Sequence, residues 1–233
     1  MDFLQETPEW SKERSMDRKE LVESSSSQNV NLSIASFQKR GAGEETVTVS
    51  LSDGSSFFMP LPLRDSWVPG KFLDEDDMEY LYTEDSYIRG REWAASRLAL
   101  REDSSGRMMQ KLQQRGYSSG VSRRILDDMK TLGFLDDHRF TELWLRERLR
   151  THPEGRNALV AGLQKRGISG EIARSQVFTL VSAEDELQAL DQCLKKFRRQ
   201  KLNDEKLLQR LMRRGFPYSS IIRKLDRDNY GST

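Results

Sequence analysis

Basic residues stand directly before a glycine at three places in this chain, and a large apolar residue follows each time. The segments are Arg115-Gly116-Tyr117, Lys165-Arg166-Gly167-Ile168 and Arg213-Arg214-Gly215-Phe216. A guanidinium keeps its charge and presents a planar fork of N–H donors, so a repeated row of such groups suits a polyanionic partner. The same cations also have a structural use, because positive charge is favourable near a helix C-terminus. Further basic candidates are Arg123-Arg124, the set Arg139, Arg146 and Arg150, and the run Lys195-Lys196-Phe197-Arg198-Arg199-Gln200-Lys201. Arg139, Arg146 and Arg150 are seven and four residues apart, which places them on one helix face. Phe140, Leu143 and Trp144 fall on the other face, and Trp144 reads as core rather than as a platform for stacked bases. Phe197 is the one aromatic inside a basic run, the pattern that single-strand binders use, and it also fits a core position.

Other chemistry finds little support. Asp136-Asp137 resembles a carboxylate pair, but an N-cap followed by a first-turn acid explains it better. His138, His152 and the single Cys193 show no metal-ligand spacing, and one cysteine forms no internal disulfide. There is no phosphate-cradling Gly-x-x-x-x-Gly-Lys loop and no convincing Ser-His-Asp order. The expectation is a chain that is not an enzyme and takes no cofactor and no metal.

The elements that must position the basic groups follow from the glycines. Gly116, Gly167 and Gly215 are 51 and 48 residues apart, and Met108-Met109, Leu159-Val160 and Leu207-Leu208 precede them at matching offsets. A repeat of this length implies stacked helical units. A glycine at C′ adopts the left-handed backbone that other residues avoid, and the Schellman motif pairs an apolar C″ residue with an apolar C3. C3 is then Leu112, Leu163 and Leu211, and C″ is Tyr117, Ile168 and Phe216. Met129, Gly133 and Phe134 fit the same template. Ser118 and Ser169 offer N-caps to the helices that follow, and the third unit departs with Pro217-Tyr218-Ser219-Ser220.

Apolar residues are 36% of the chain and charged residues 32%, a balance that suits repeats packing on their neighbours. The net charge of +1 conceals a division: 8 Lys+Arg against 18 Asp+Glu in residues 1–88, and 30 against 19 in residues 89–233. The halves therefore carry −10 and +11. No apolar run is long enough to cross a membrane and the N-terminus does not read as a secretory signal, so a cytoplasmic location is expected. Residues 1–43 are Ser-rich and acidic and are expected to be disordered. Thr46 to Leu51, the Ser52-Asp53-Gly54-Ser55 turn and Ser56 to Met59 read as a β-hairpin within a 44–73 segment. Acidic Asp74 to Asp77 opens the helical region. The expected fold is mainly α: an elongated tandem array of three-helix repeats, over 74–133, 134–183 and 184–228, after a small N-terminal β-hairpin.

Gly133-Phe134-Leu135-Asp136-Asp137-His138-Arg139-Phe140, the helix end Leu163 to Ile168, and Arg213-Arg214-Gly215-Phe216 with Tyr218 and Ile221-Ile222 together resemble the RecX family of recombinase regulators. The resemblance covers residues 46–228, including the Asp53-Gly54 turn and the acidic helix start. Departures are Arg107-Met108 where the family has Glu-Leu, and Pro153-Glu154-Gly155-Arg156 where it has Gly-Pro or an arginine run. The resemblance implies a protein that binds the RecA filament on single-stranded DNA and opposes its assembly or activity in recombination, DNA repair and the SOS response. A monomer is expected, with no membrane partner. The basic residues named above, including Lys165, Lys195 and Lys196, are its candidate filament- or DNA-binding groups. Two other functions remain open at this level: a stand-alone DNA reader, since three-helix units also build helix-turn-helix proteins, and a helical interaction scaffold without nucleic acid.

Overall fold

The computed structural model of the chain describes residues 32–40, 45–200 and 203–230. The described residues are mainly α, with a small three-stranded antiparallel sheet before the helices. The strands are β1 (Ile34–Lys39), β2 (Thr46–Leu51) and β3 (Ser56–Pro60), in the order β1-β2-β3. The helices are α1 (Glu75–Leu100), α2 (Ser105–Gln114), α3 (Ser119–Thr131), α4 (Asp137–Thr151), α5 (Arg156–Gln164), α6 (Gly170–Leu180), α7 (Ala183–Arg198), α8 (Asp204–Arg213) and α9 (Tyr218–Tyr230). They fall into three triplets, α1–α3, α4–α6 and α7–α9. By contacts the chain divides into two compact units. One holds the described residues up to Leu100 with Met109–Phe134, and the other holds Arg101–Met108 with the described residues from Leu135 onward.

In the first unit, Val47, Val49 and Leu51 of β2 and Phe57 and Met59 of β3 alternate inward onto Ile34, Trp67 and Leu81. The Asp53 carboxylate closes the hairpin by accepting from the Ser55 amide and hydroxyl at 2.9 and 2.6 Å, while Gly54 takes φ +86°. The hairpin is as expected, but the boundary of the disordered segment is corrected. Residues 34–39, placed in the disordered stretch 1–43 by sequence, form β1 and pair with β2. The signal was weak because only Ile34 of that strand is buried, so there is no alternation to read. The expectations for residues 1–31 and 41–43, and for Lys201, lie outside the described residues.

The acidic start of α1 does more than complement a helix dipole. Buried Asp77 accepts bonds from Lys71 Nζ at 2.7 Å, Arg64 Nη1 at 2.8 Å and Trp67 Nε1 at 3.0 Å. These bonds tie the 64–71 loop to the helix. Burial opposes ionisation of this carboxyl, and the bonds from Lys71 and Trp67 outweigh it, holding it below the usual carboxylate range. Farther along, α1 packs on α3 at Gly90, where a side chain would meet Ile125 and Tyr117.

In the second unit each triplet builds its own core. Phe140, Leu145, Leu159, Leu163, Ile168 and Val177 form one. Leu190, Leu194, Phe197, Leu207, Leu211 and Ile221 form the other. Burying apolar side chains at about 1.5–3 kcal/mol each lets each short triplet hold itself together before it packs on a neighbour.

Candidate functional site

The three basic helix ends have the geometry that their sequence demands. Gly116, Gly167 and Gly215 adopt φ of +89°, +78° and +84°. In the first, the Gly116 N–H donates to the Gln113 carbonyl at 2.9 Å and the Tyr117 N–H to the Leu112 carbonyl at 3.2 Å. The second repeats this with Gly167 to Gln164 and Ile168 to Leu163, at 2.9 and 3.2 Å. The third does so with Gly215 to Met212 and Phe216 to Leu211, at 2.9 and 3.3 Å. All three are Schellman ends with C3 and C″ where the sequence placed them. Gly133 also takes a positive φ, of +74°. Ser118 and Ser169 cap the next helices by accepting from Val121 and Ile172.

The cations at these ends differ in what they touch. Arg115 lies 4.5 Å above the Trp93 ring centroid. Arg166 lies 4.8 Å from the Trp144 centroid and donates to the Gly162 carbonyl at 2.8 Å. Both pairs span 22 residues, so the stack recurs from one triplet to the next, and Gln192 replaces the tryptophan in the third. Arg214 instead approaches Glu154 at 3.7 Å. Lys165 and Arg213, the preceding residue in each of two ends, are exposed and have no ion pair among the described residues.

The other basic candidates also divide. Arg124 makes a two-pronged pair with buried Glu84 and lies 3.7 Å over the Tyr87 ring, so it holds α3 to α1. The Glu84 bonds, against the cost of burial, raise its guanidinium pKa. Arg139 binds Glu102 through Nε at 2.6 Å and Nη2 at 3.3 Å. Arg146 pairs with Glu142 at 2.8 Å and Arg150 with Glu147 at 3.0 Å, each on its own helix and each widely exposed. Arg123, Lys195, Lys196 and Arg199 are exposed without an ion pair among the described residues, and Arg198 is exposed beside them. Phe197 is 6% exposed and belongs to the third triplet's core, so it interleaves no aromatic face with that basic run.

Sequence reading missed how closely consecutive triplets meet. A Cβ on Gly106, in the first turn of α2, would lie 2.5 Å from the Gly167 carbonyl oxygen and 2.6 Å from its Cα. One on Gly155, the N-cap of α5, would lie 2.5 Å from the Gly215 carbonyl carbon. The Gly155 N–H donates to the Arg214 carbonyl at 2.9 Å, and the Ser104 hydroxyl donates to the Arg166 carbonyl. The start of one triplet's middle helix is thus seated on the glycine end of the next. Glycine at both partners is the signal that was available, at Gly106 with Gly167 and at Gly155 with Gly215.

Asp136 is the N-cap of α4, accepting from the His138 and Arg139 amides at 2.8 and 3.1 Å. Asp137 accepts from the Ser105 amide at 2.8 Å, so it serves the start of α2 as well as its own first turn. His138 contacts Gln176, and Cys193 is buried with its thiol directed at the Pro153 carbonyl. Burial raises the Cys193 pKa, which disfavours a thiolate. Among the described residues no group of three or more His, Cys, Asp and Glu is placed to hold a metal ion, and no helix is long and apolar enough to cross a membrane.

Comparison with known proteins follows the same residues. The family described as RecX, second three-helix domain, matches residues 136–175, from the Asp136 cap into α6. The chain is 33% identical over 131 residues to the regulatory protein RecX of Mycolicibacterium smegmatis, covering 52% of this chain and 70% of that protein. It is 32% identical over 142 residues to the regulatory protein RecX of Treponema pallidum strain Nichols, covering 60% of this chain and 87% of that one. A crystal structure of regulatory protein RecX superposes with a TM-score of 0.63 at 18% identity, over 81% of this chain and 96% of that chain. That of RecX from Lactobacillus salivarius gives 0.53 at 21% identity, over 61% and 97%. At those identities the structural likeness speaks to fold, and the sequence relatives speak to descent: the chain belongs to the RecX family of regulatory proteins.

Proposed function

We propose that the chain binds the filament that a RecA-type recombinase forms on single-stranded DNA, and restrains its assembly and activity in recombination and repair. It does so as a cytoplasmic monomer that catalyses no reaction of its own. Membership of a regulatory family supports this reading. The observation that carries it is the recurrence of Lys165-Arg166 and Arg213-Arg214 on identically built helix ends of consecutive triplets. A filament repeats its own surface, and a protein that follows it is best served by repeated contacts. Each exposed charge contact contributes little, about 0–1 kcal/mol, and linkage through one chain makes several of them count together.

Co-sedimentation tests the reading. The chain is expected to pellet with recombinase on single-stranded DNA, and much less with either component alone. Equal retention on bare DNA contradicts the filament reading in favour of a stand-alone DNA reader. Retention by neither contradicts both.

A further inference from the structure

Three arginines of the second unit gather around one tryptophan and one glutamate, and the backbone of a fourth, Arg107, lies against Gly167, next to Arg166. Arg148 of α4 pairs with Glu154 through Nε at 3.0 Å and Nη2 at 2.8 Å. Arg214, at the end of α8, is 3.7 Å from the same Glu154. Arg148 and Arg166 share the Trp144 ring, at 5.9 and 4.8 Å from its centroid. The Trp144 edge in turn fills the space left by Gly162, whose carbonyl receives the Arg166 bond. Arg107, one residue past the Gly106 seat, has Asp103 at 3.5 Å. Burial depresses the Arg166 pKa, and the charges of Arg107 and Arg148 depress it further; Glu154 alone opposes them.

Guanidinium groups stay protonated throughout the physiological range, so this repulsion cannot be relieved by loss of a proton. It is relieved by an anion. The arginine side chains remain partly open to solvent, with 43% of Arg107, 31% of Arg148 and 36% of Arg214 exposed. Arg148 and Arg166 are held in place by Glu154, Trp144 and the Gly162 carbonyl, so little side-chain freedom is left to lose on binding. Planar forks brought from α2, α4 and the ends of α5 and α8 suit the several oxygens of a phosphate. Lys165 and Arg213, exposed and adjacent in sequence to Arg166 and Arg214, extend the positive charge beyond the cluster, as a continuous backbone requires.

We propose that Arg107, Arg148, Arg166 and Arg214 form one site for a phosphate group in the backbone of a single-stranded nucleic acid. The site rests on the reading that this chain meets a recombinase-coated strand, and it can be tested on the strand alone. Binding of the full chain to fluorescein-labelled oligo-dT, followed by anisotropy over a series of salt concentrations, reports the number of phosphate contacts. Arg107→Gln is expected to weaken binding and to lower the slope of log affinity against log salt by about 0.7. Arg97→Gln, exposed in the first unit and outside the cluster, leaves the slope unchanged. Equal slopes for wild type and Arg107→Gln overturn the site.

Loss of Arg166 also removes a bond to the Gly162 carbonyl, so the unmutated chain supplies the second measurement. Phenylglyoxal modification read by mass spectrometry is expected to show oligo-dT protecting Arg107, Arg148 and Arg166 several-fold more than the exposed Arg97 and Arg227. Uniform protection overturns the site. Equal protection by inorganic phosphate at the same phosphate concentration overturns the assignment to a strand. Protection by recombinase without DNA, and none by oligo-dT, overturns phosphate as the ligand. Failure to pellet with the recombinase filament overturns the regulator reading and leaves these oligonucleotide outcomes to stand or fall alone.

Discussion

The helix end at Gly116 and the ends at Gly167 and Gly215 share a sequence motif, a left-handed glycine and the same pair of Schellman bonds, yet they carry different burdens. Around Gly116 a Cβ would meet nothing within 4 Å. At Gly167 it would lie 2.7 Å from the Gly106 Cα, and at Gly215 it would lie 2.6 Å from the Ala158 Cβ and closer still to the Ala158 amide. The first glycine answers only to its own backbone conformation. The other two also answer to a neighbouring helix start pressed onto them. A motif repeated in sequence is therefore not repeated in constraint, and what separates the copies is whether another triplet is seated on them.

Substitution by alanine turns that difference into numbers. Gly167→Ala and Gly215→Ala should have the largest effects. Each incurs a left-handed Cβ at about 1–2 kcal/mol and overpacking at about 1–3 kcal/mol, for a total near 2–5 kcal/mol. Denaturant midpoints measure it, and a loss no greater than that of Gly116→Ala would show that the seats yield freely. Gly106→Ala comes next. Helix propensity alone favours alanine there by about 0.5–1 kcal/mol, but contact with Gly167 should reverse the sign, and a stabilised variant would refute the seat. Gly116→Ala should cost about 1–2 kcal/mol through backbone conformation alone.

The smallest effect lies at the α4 cap. Asp136→Ala should cost about 1 kcal/mol. The Asp136 carboxyl is held below its usual range chiefly by the Arg139 amide, against the cost of burial and with help from the His138 amide. Its contribution is therefore complete above the ordinary carboxylate range and is lost as pH falls through the lowered folded value. The difference in stability between wild type and Asp136→Ala should shrink in acid, and a constant difference would deny the cap its charge.

Much of this was legible in sequence because it is local. The glycine spacing, the apolar C3 and C″ residues and the Ser118 and Ser169 caps are each decided within a few residues of chain, and each is in place. The Asp53-Gly54 hairpin is of the same kind. Strand β1 was missed because a strand with one buried residue shows no alternation. The candidate site was less legible, since its state depends on groups far apart in the chain. Nothing near Arg124 announces that Glu84, forty residues earlier, neutralises it. Nothing near Arg166 announces that Arg107, Arg148 and Glu154 share its surroundings. The recurring 22-residue spacing from Trp93 to Arg115 and from Trp144 to Arg166 was visible, but it acquires meaning only once the rings and guanidiniums are seen stacked.

The central claim is that repeated basic helix ends bring this chain onto a recombinase filament, and recombinase ATP hydrolysis on single-stranded DNA tests it most directly. The unmodified chain should suppress hydrolysis. Lys165→Ala and Arg213→Ala, exposed and clear of the packing seats, should each weaken suppression modestly, and the double variant should lose it by more than either alone. Hydrolysis unaffected by the unmodified chain, or a double variant that suppresses as well as wild type, would contradict the account.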